Sequence, residues 1–433
     1  MVLEEYHTQT LMCNRCSLCK WIPQPKIASW RFAAACPSIQ KYNFHAYSGG
    51  GRVIAACALL EGKIDYTDEL VKIVYTCSMC GACDVSCKMN YGGILEPLEI
   101  LHELRVKCVE NEKIPPRLKT LLEDVRKHEN PYREPREKRE EWAKGMNIKN
   151  ISEEPADVLY YVGCTSAFRV PELAKATATL LEKAGVDYGI LGRNELCCAS
   201  TAYKIGDERL MEEHAKRNIE KFNSLDVKRV VTSCSGCYHM FKSYYPFIGE
   251  MNFEVLHITE YIEQLMNQGR IKFSNGIPMK VTYHDPCHLG RLAEPHTPWK
   301  GVEKKVLGQL IITDPPREVR FGVKGVFDPP RNILKSIPGI EFKEMERIRE
   351  YSWCCGSGGG VKAAYPELAS FAAGERIEEA KSTGAEALVT ACPFCRINLR
   401  DAITERNEKI KLYDVVELTL QAMGGETVQK GGD

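Results

Sequence analysis

Cys77-Ser-Met-Cys80-Gly-Ala-Cys83-Asp-Val-Ser-Cys87 spaces four cysteines by two, two and three residues. That spacing wraps thiolates around a cubane [4Fe–4S] cluster, and small residues between the ligands let backbone amides approach its sulfides. Structural zinc is the competing reading. Zinc needs only four ligands, however, and a second triplet, Cys13-Asn-Arg-Cys16-Ser-Leu-Cys19, lies upstream with a more distant Cys36 before Pro37. In two-cluster ferredoxins the remote fourth cysteine crosses to the other cluster. This predicts one cubane on Cys13, Cys16, Cys19 and Cys87, and another on Cys77, Cys80, Cys83 and Cys36. Two departures stand out: sixteen residues separate Cys19 from Cys36, and Lys88 rather than proline follows Cys87.

A sparser cysteine set forms an internal repeat, which bears on architecture before any single element does. In the first copy the apolar run Val158–Val162 ends at Gly163-Cys164, then Cys197-Cys198 follows after 32 residues and Cys234-Ser-Gly-Cys237 after 35 more. In the second, Val281-Thr-Tyr-His ends at Asp285-Pro286-Cys287, followed by Cys354-Cys355 after 66 residues and Cys392-Pro-Phe-Cys395 after 36. The difference of 34 residues between 66 and 32 marks an insertion at about 292–321, a candidate lid or docking loop. Each copy offers five cysteines, one more than a cubane or a zinc ion takes, so a zinc-stabilised scaffold does not account for them.

The segments YVGCTSAFR, LCCAS, SCSGCY, YHDPCHLGR, WCCGSGGG and ACPFC resemble the signatures of the cysteine-rich "CCG" domain proteins, typified by the catalytic subunit of heterodisulfide reductase. The resemblance implies two noncubane [4Fe–4S] clusters in addition to the two cubanes. One would be held by Cys164, Cys197, Cys198, Cys234 and Cys237, and the other by Cys287, Cys354, Cys355, Cys392 and Cys395, these ten forming the catalytic set. Ala199 replaces the glycine that gives the motif its name, and its methyl could narrow access to the first cluster. Cys57 and Cys108 are left over and read as small apolar packing residues.

His284 and His288 flank Cys287 and are candidate catalytic groups for proton delivery or cluster tuning, because imidazole titrates near neutral pH. The competing reading is a histidine satisfying buried backbone at a strand end. His239 and Lys204 are further candidates of the same kind. Arg15, Lys20 and Lys88 could raise cluster potentials by their charge, or could be solvated surface. Gly356-Ser-Gly-Gly-Gly360 lacks the Lys-Ser/Thr ending of a phosphate loop. It reads as a close backbone approach to a cluster or substrate.

Two functions fit. One is a disulfide reductase-like enzyme in which cubanes feed electrons inward to a small thiol or disulfide substrate. The other is a non-catalytic electron-transfer subunit of a larger anaerobic complex, linked to a membrane cytochrome or of the class II benzoyl-CoA reductase type. No flavin or nicotinamide fingerprint is visible, so a hydride must be split by a partner such as a flavoprotein, hydrogenase, formate dehydrogenase or cytochrome.

The elements that must position these residues read as strand, helix, strand, helix in each repeat, with cysteines where strands end and helices begin. Open α/β sheets place their sites there. The fold expected is α/β: two tandem CCG-type domains with small parallel sheets, preceded by a mainly α-helical ferredoxin-like domain carrying two [4Fe–4S] clusters. The expected boundaries are 1–110 for the ferredoxin-like domain, 111–156 for a charged linker, 157–275 and 276–423 for the two CCG domains, and 424–433 for a flexible tail. Over 433 residues Lys+Arg and Asp+Glu both total 58, and no basic block suggests nucleic acid. With neither an export signal nor a membrane-length apolar run, twenty cysteines point to metal rather than disulfides. A cytoplasmic protein is expected, attached at most to the membrane face through a partner.

Overall fold

The structure is a computed structural model describing residues 2–294, 299–307 and 310–425. Residues 426–433 of the expected tail lie outside that range, as do parts of the 292–321 insertion.

The first α/β unit holds β1 (Lys149–Asn150), β2 (Val158–Tyr160), β3 (Tyr188–Ile190), β4 (Arg229–Thr232) and β5 (Glu254–His257), all parallel, in the order β1-β3-β2-β4-β5. The second holds β6 (Met279–Tyr283), an inserted antiparallel hairpin of β7 (Val302–Val306) and β8 (Leu310–Asp314), then β9 (Ile340–Phe342), β10 (Ala387–Thr390) and β11 (Lys411–Asp414). Its parallel order, β9-β6-β10-β11, reproduces β3-β2-β4-β5 strand for strand. The central strands β2 and β10 are buried throughout. Helices cover both faces of such a sheet, so these strands read as continuous apolar runs.

The repeat extends to its capping chemistry. His257 and Asp414 end the last strand of each sheet, and each caps the following helix, Ile258–Asn267 or Val415–Ala422, through a capping box closed by Glu260 or Glu417. The helical stretch after Cys198 is broken into Ser200–Ile205 and Glu208–Ser224 at Gly206-Asp207, where Asp207 caps the second piece. Its counterpart breaks before Pro366 into Val361–Ala364 and Pro366–Ser382, since proline has no N–H to continue a helix.

The N-terminal part is helical, with Gly49–Leu60 capped by Ser48 and Asp68–Tyr75 by Thr67, followed by Ala82–Tyr91 and Pro97–Glu110. Segment 111–156, expected as a charged linker, forms the helix Pro116–His128 and a 3-10 stretch Arg136–Ala143. Its buried Arg139 and Trp142 pack it onto the first α/β unit. No helix among the described residues is long and apolar enough to cross a membrane.

Candidate metal and redox site

A cavity of about 350 Å³ lies between the two α/β units, and all ten repeat cysteines line it. The parallel topology explains their convergence. Cys164 follows β2 through Gly163 (φ +77°), and Cys234 follows β4, capping the helix Ser235–Ser243. Adjacent strands whose chains leave in opposite directions open a crevice at their carboxyl ends. In the second unit Cys287 and Cys392 leave β6 and β10 in the same manner. The expected run from strand directly into each cysteine pair is not seen: β3 ends at Ile190, and the turn Gly192–Asn194 carries the chain to Cys197.

The sulfurs form one continuous path. Within hydrogen-bonding reach of one another, in order, are Cys164, Cys197, Cys198, Cys237 and Cys234 of the first set, then Cys392, Cys395, Cys355 and Cys354 of the second, which reaches Cys287. Neighbouring thiols hold the Cys198 thiol down to about 6. Backbone amides reinforce each pair, Ala199 N–H donating to Cys197 Sγ (3.4 Å) and Gly356 N–H to Cys354 Sγ (3.3 Å). So many sulfurs crowded around one buried space form a soft donor set suited to iron–sulfur clusters.

Ala199 adopts a left-handed conformation (φ +56°) and is fully buried. It does not line the cavity, so the expected narrowing by its methyl does not occur. Its counterpart Gly356 (φ +88°) has no such latitude, because a Cβ there would lie 2.6 Å from Ala372 Cβ.

The histidines part company. His288 lines the cavity with Nδ1 3.4 Å from Cys287 Sγ. His284 is buried outside it, accepting from Arg376 Nε (3.1 Å), with a ring nitrogen near the Cys355 and Cys395 sulfurs. His239 packs edge-on against His288 at 5.1 Å. Lys204 lines the cavity, and burial pushes its ammonium down to about 8. Sequence reasoning missed Arg139, which is buried, donates to Cys164 Sγ (3.3 Å) and pairs with Glu195 (2.8 Å). Glu195 in turn accepts from the Val162 and Gly163 amides. The only sequence signal was a charge run, which reads as solvated surface.

In the N-terminal part, Cys36, Cys77, Cys80 and Cys83 bound a small cavity of about 20 Å³. Cys87 lies in the electrostatic field of Cys13, Cys16 and Cys19. Gly49 and Gly50 thread between the two groups: a Cβ on Gly49 would fall 2.8 Å from Cys83 Sγ, and one on Gly50 would fall 3.4 Å from Cys19 Sγ. Cys16 is exposed. Lys88 is buried between Asp84 and Glu96 as a structural ion pair, not solvated surface. Cys108 is buried in the core, and Cys57 sits near His7 and Glu61. The glycine loop approaches backbone closely: a Cβ on Gly359 would lie 2.6 Å from the Cys77 carbonyl oxygen. No described residue of 292–321 lines the large cavity. Arg320 instead anchors that segment to Glu99 of the N-terminal part (2.7 Å), which argues against a lid.

Models of the cysteine-rich domain match residues 158–242 and 321–400, and a 4Fe-4S dicluster domain matches 9–91. The chain is 33% identical to a subunit of the dihydromethanophenazine:CoB–CoM heterodisulfide reductase of Methanosarcina mazei, over 96% of this chain and 94% of that one. It is 31% identical to a probable iron-sulfur-binding oxidoreductase of Bacillus subtilis, over 89% of this chain and 52% of that protein. It is 30% identical to the EtfAB:quinone oxidoreductase of Syntrophomonas wolfei, over 81% and 46%.

Proposed function

This chain belongs to the family of that heterodisulfide reductase subunit, and on that footing we propose an electron-transferring iron–sulfur protein that reduces or forms a disulfide in the cavity between its α/β units. The observation that carries this reading is that both five-cysteine sets open on one space. Reduction of RSSR′ takes two electrons and two protons and yields RSH and R′SH, so two sets facing one cavity provide a place for each sulfur. In this reading Cys13, Cys16, Cys19 and Cys87 hold one cubane, Cys36, Cys77, Cys80 and Cys83 the other, and the two five-cysteine sets hold noncubane clusters. Once bound, such clusters supply electrons singly and a Lewis-acidic iron for a departing thiolate.

The chain's own groups do the rest. Among the described residues, the charged side chains lining the cavity are Arg117, Arg169, Lys204 and Lys362, and none is a carboxylate, which favours an anionic thiol or disulfide. Arg139 and His288 fix the sulfurs of Cys164 and Cys287, residues at equivalent positions of the repeat. Electrons come from a separate redox partner such as a flavoprotein, hydrogenase, formate dehydrogenase or cytochrome.

The test offers the CoB–CoM heterodisulfide to anaerobically purified protein reduced by an artificial donor. Thiol release at two electrons per disulfide supports the proposal. No turnover with a full iron complement would favour the electron-conduit function instead.

A further inference from the structure

Three arginines surround the loop that carries Cys77 and Cys80, and each is almost wholly buried: Arg52 (1% exposed), Arg105 (0%) and Arg291 (2%). Arg52 donates to the carbonyls of Tyr47, Ile73 and Thr76 and to the Ser38 hydroxyl. Arg105 donates to the carbonyls of Cys77 and Val74, and also to those of Lys204 and Gly359, one in each α/β unit. Arg291 donates to the Cys80 carbonyl (2.6 Å) and to those of Glu350 and Ser352. These acceptors are all neutral.

None of the three pairs with a carboxylate among the described residues. The other buried arginines behave differently: Arg139, Arg320, Arg331, Arg347, Arg376 and Arg396 each hold an Asp or Glu. Neutral acceptors satisfy N–H donors but leave the positive charge uncompensated, and an uncompensated charge in the interior is costly. The fold places a different cysteine of one set in the field of each arginine: Cys36 near Arg52, Cys77 near Arg105 and Cys80 near Arg291, whose field also reaches Cys287 and Cys354 of the cavity. Arg291 also buries its terminal Nη2 with no oxygen or nitrogen acceptor, and its guanidinium lies beside the Cys80 sulfur.

We propose that Arg52, Arg105 and Arg291 are the counter-charge of an anionic cluster held by Cys36, Cys77, Cys80 and Cys83, and that they set its potential above that of the cluster on Cys13, Cys16, Cys19 and Cys87. A thiolate-bound cluster becomes more negative on reduction, so fixed cations beside it favour the reduced form. Among the described residues the outer set, on Cys13, Cys16, Cys19 and Cys87, has no comparable ring of buried arginines. Cys16 is exposed to water, and beside Cys87 the Asp84 carboxylate is already paired with Lys88. Electrons entering at the outer set would therefore run downhill to the inner one, which adjoins the cavity cysteines. The proposal rests on the cubane assignment given above.

The test is an EPR-monitored redox titration of the full-length protein, wild type beside R52Q, R105Q and R291Q and the charge-keeping R52K, R105K and R291K, with C36S identifying the inner signal. Iron content is measured first. Loss of a reducible cubane signal from the wild type itself would overturn the cubane assignment, separately from the arginine role. With both signals present, each Gln variant is expected to favour oxidation of the inner cluster about tenfold, a midpoint lower by about 59 mV for one electron. The outer midpoint should stay fixed and the Lys variants should stay near wild type. Inner midpoints unchanged in all three Gln variants, or outer and inner midpoints moving together, would overturn the proposal. Three independent positions keep it testable if one variant fails to fold.

Discussion

The thiol of Cys354, in the second α/β unit, lies within hydrogen-bonding reach of the thiol of Cys80, in the N-terminal part. That contact continues the sulfur path of the cavity into the dicluster part, and it holds the Cys80 thiol down to about 6. Arg291 spans the same junction, with the Cys80 carbonyl on one side and that of Ser352 on the other. The second cysteine set is therefore the one that meets the N-terminal cysteines, and the first set connects through Cys234 and Cys392.

C354A should separate the two parts electronically. The N-terminal signals should remain reducible by an external donor. Reoxidation by a disulfide should slow by about a hundredfold, the upper end of what loss of even an outer partner of a metal ligand costs. Stopped-flow absorbance under anoxia measures it, and wild-type reoxidation rates would contradict the route.

R139M leaves Glu195 buried without its cation, which should cost about 3 kcal/mol near neutral pH. Burial already raises the Glu195 carboxyl, and Arg139 is what opposes that shift. Without Arg139 its folded pKa rises further above the unfolded value. The penalty then grows as pH climbs past the ordinary carboxylate range, and shrinks as pH falls toward it. Denaturant unfolding at several pH values tests this, and a deficit that widens on acidification would contradict it.

A199G should stabilise the protein by about 0.5–1 kcal/mol, because a left-handed alanine costs more than the extra unfolded-state freedom of glycine. Turnover should not change, since Ala199 lies off the cavity. In contrast, G359A should disturb the dicluster part, because its Cβ would meet the Cys77 carbonyl at 2.6 Å. Unfolding midpoints and iron content distinguish the two.

Lys204 carries positive charge below about pH 8 and loses it above. Affinity for an anionic thiol should fall as pH rises through that value, and K204M should bind more weakly at pH 7 with a flatter profile. Equilibrium binding of the thiol on either side of that value measures this; a wild-type profile retained in K204M would exclude Lys204.

The repeat was legible because each copy spaces its cysteines against strand ends, and the sheets answer with the same order, β9-β6-β10-β11 beside β3-β2-β4-β5. The convergence of Cys234 on Cys392 was not legible, since it depends on how two units pack and no local pattern encodes that. Arg139 was hidden for a related reason. It lies in a charged, proline-rich stretch whose composition reads as solvent-facing, and only tertiary packing buries it against Cys164. Ala199 was read as an obstacle to the cavity and does not line it, because sequence does not reveal which way a left-handed residue turns its methyl.

Eighteen cysteines holding four four-iron clusters, two of them sharing the cavity, is the proposal on which the rest depends. Iron and acid-labile sulfide per chain, measured after anaerobic purification, decide it. Four clusters predict about sixteen of each. About eight of each would leave the cavity sets without clusters and contradict the claim, and zinc in place of iron would contradict it entirely.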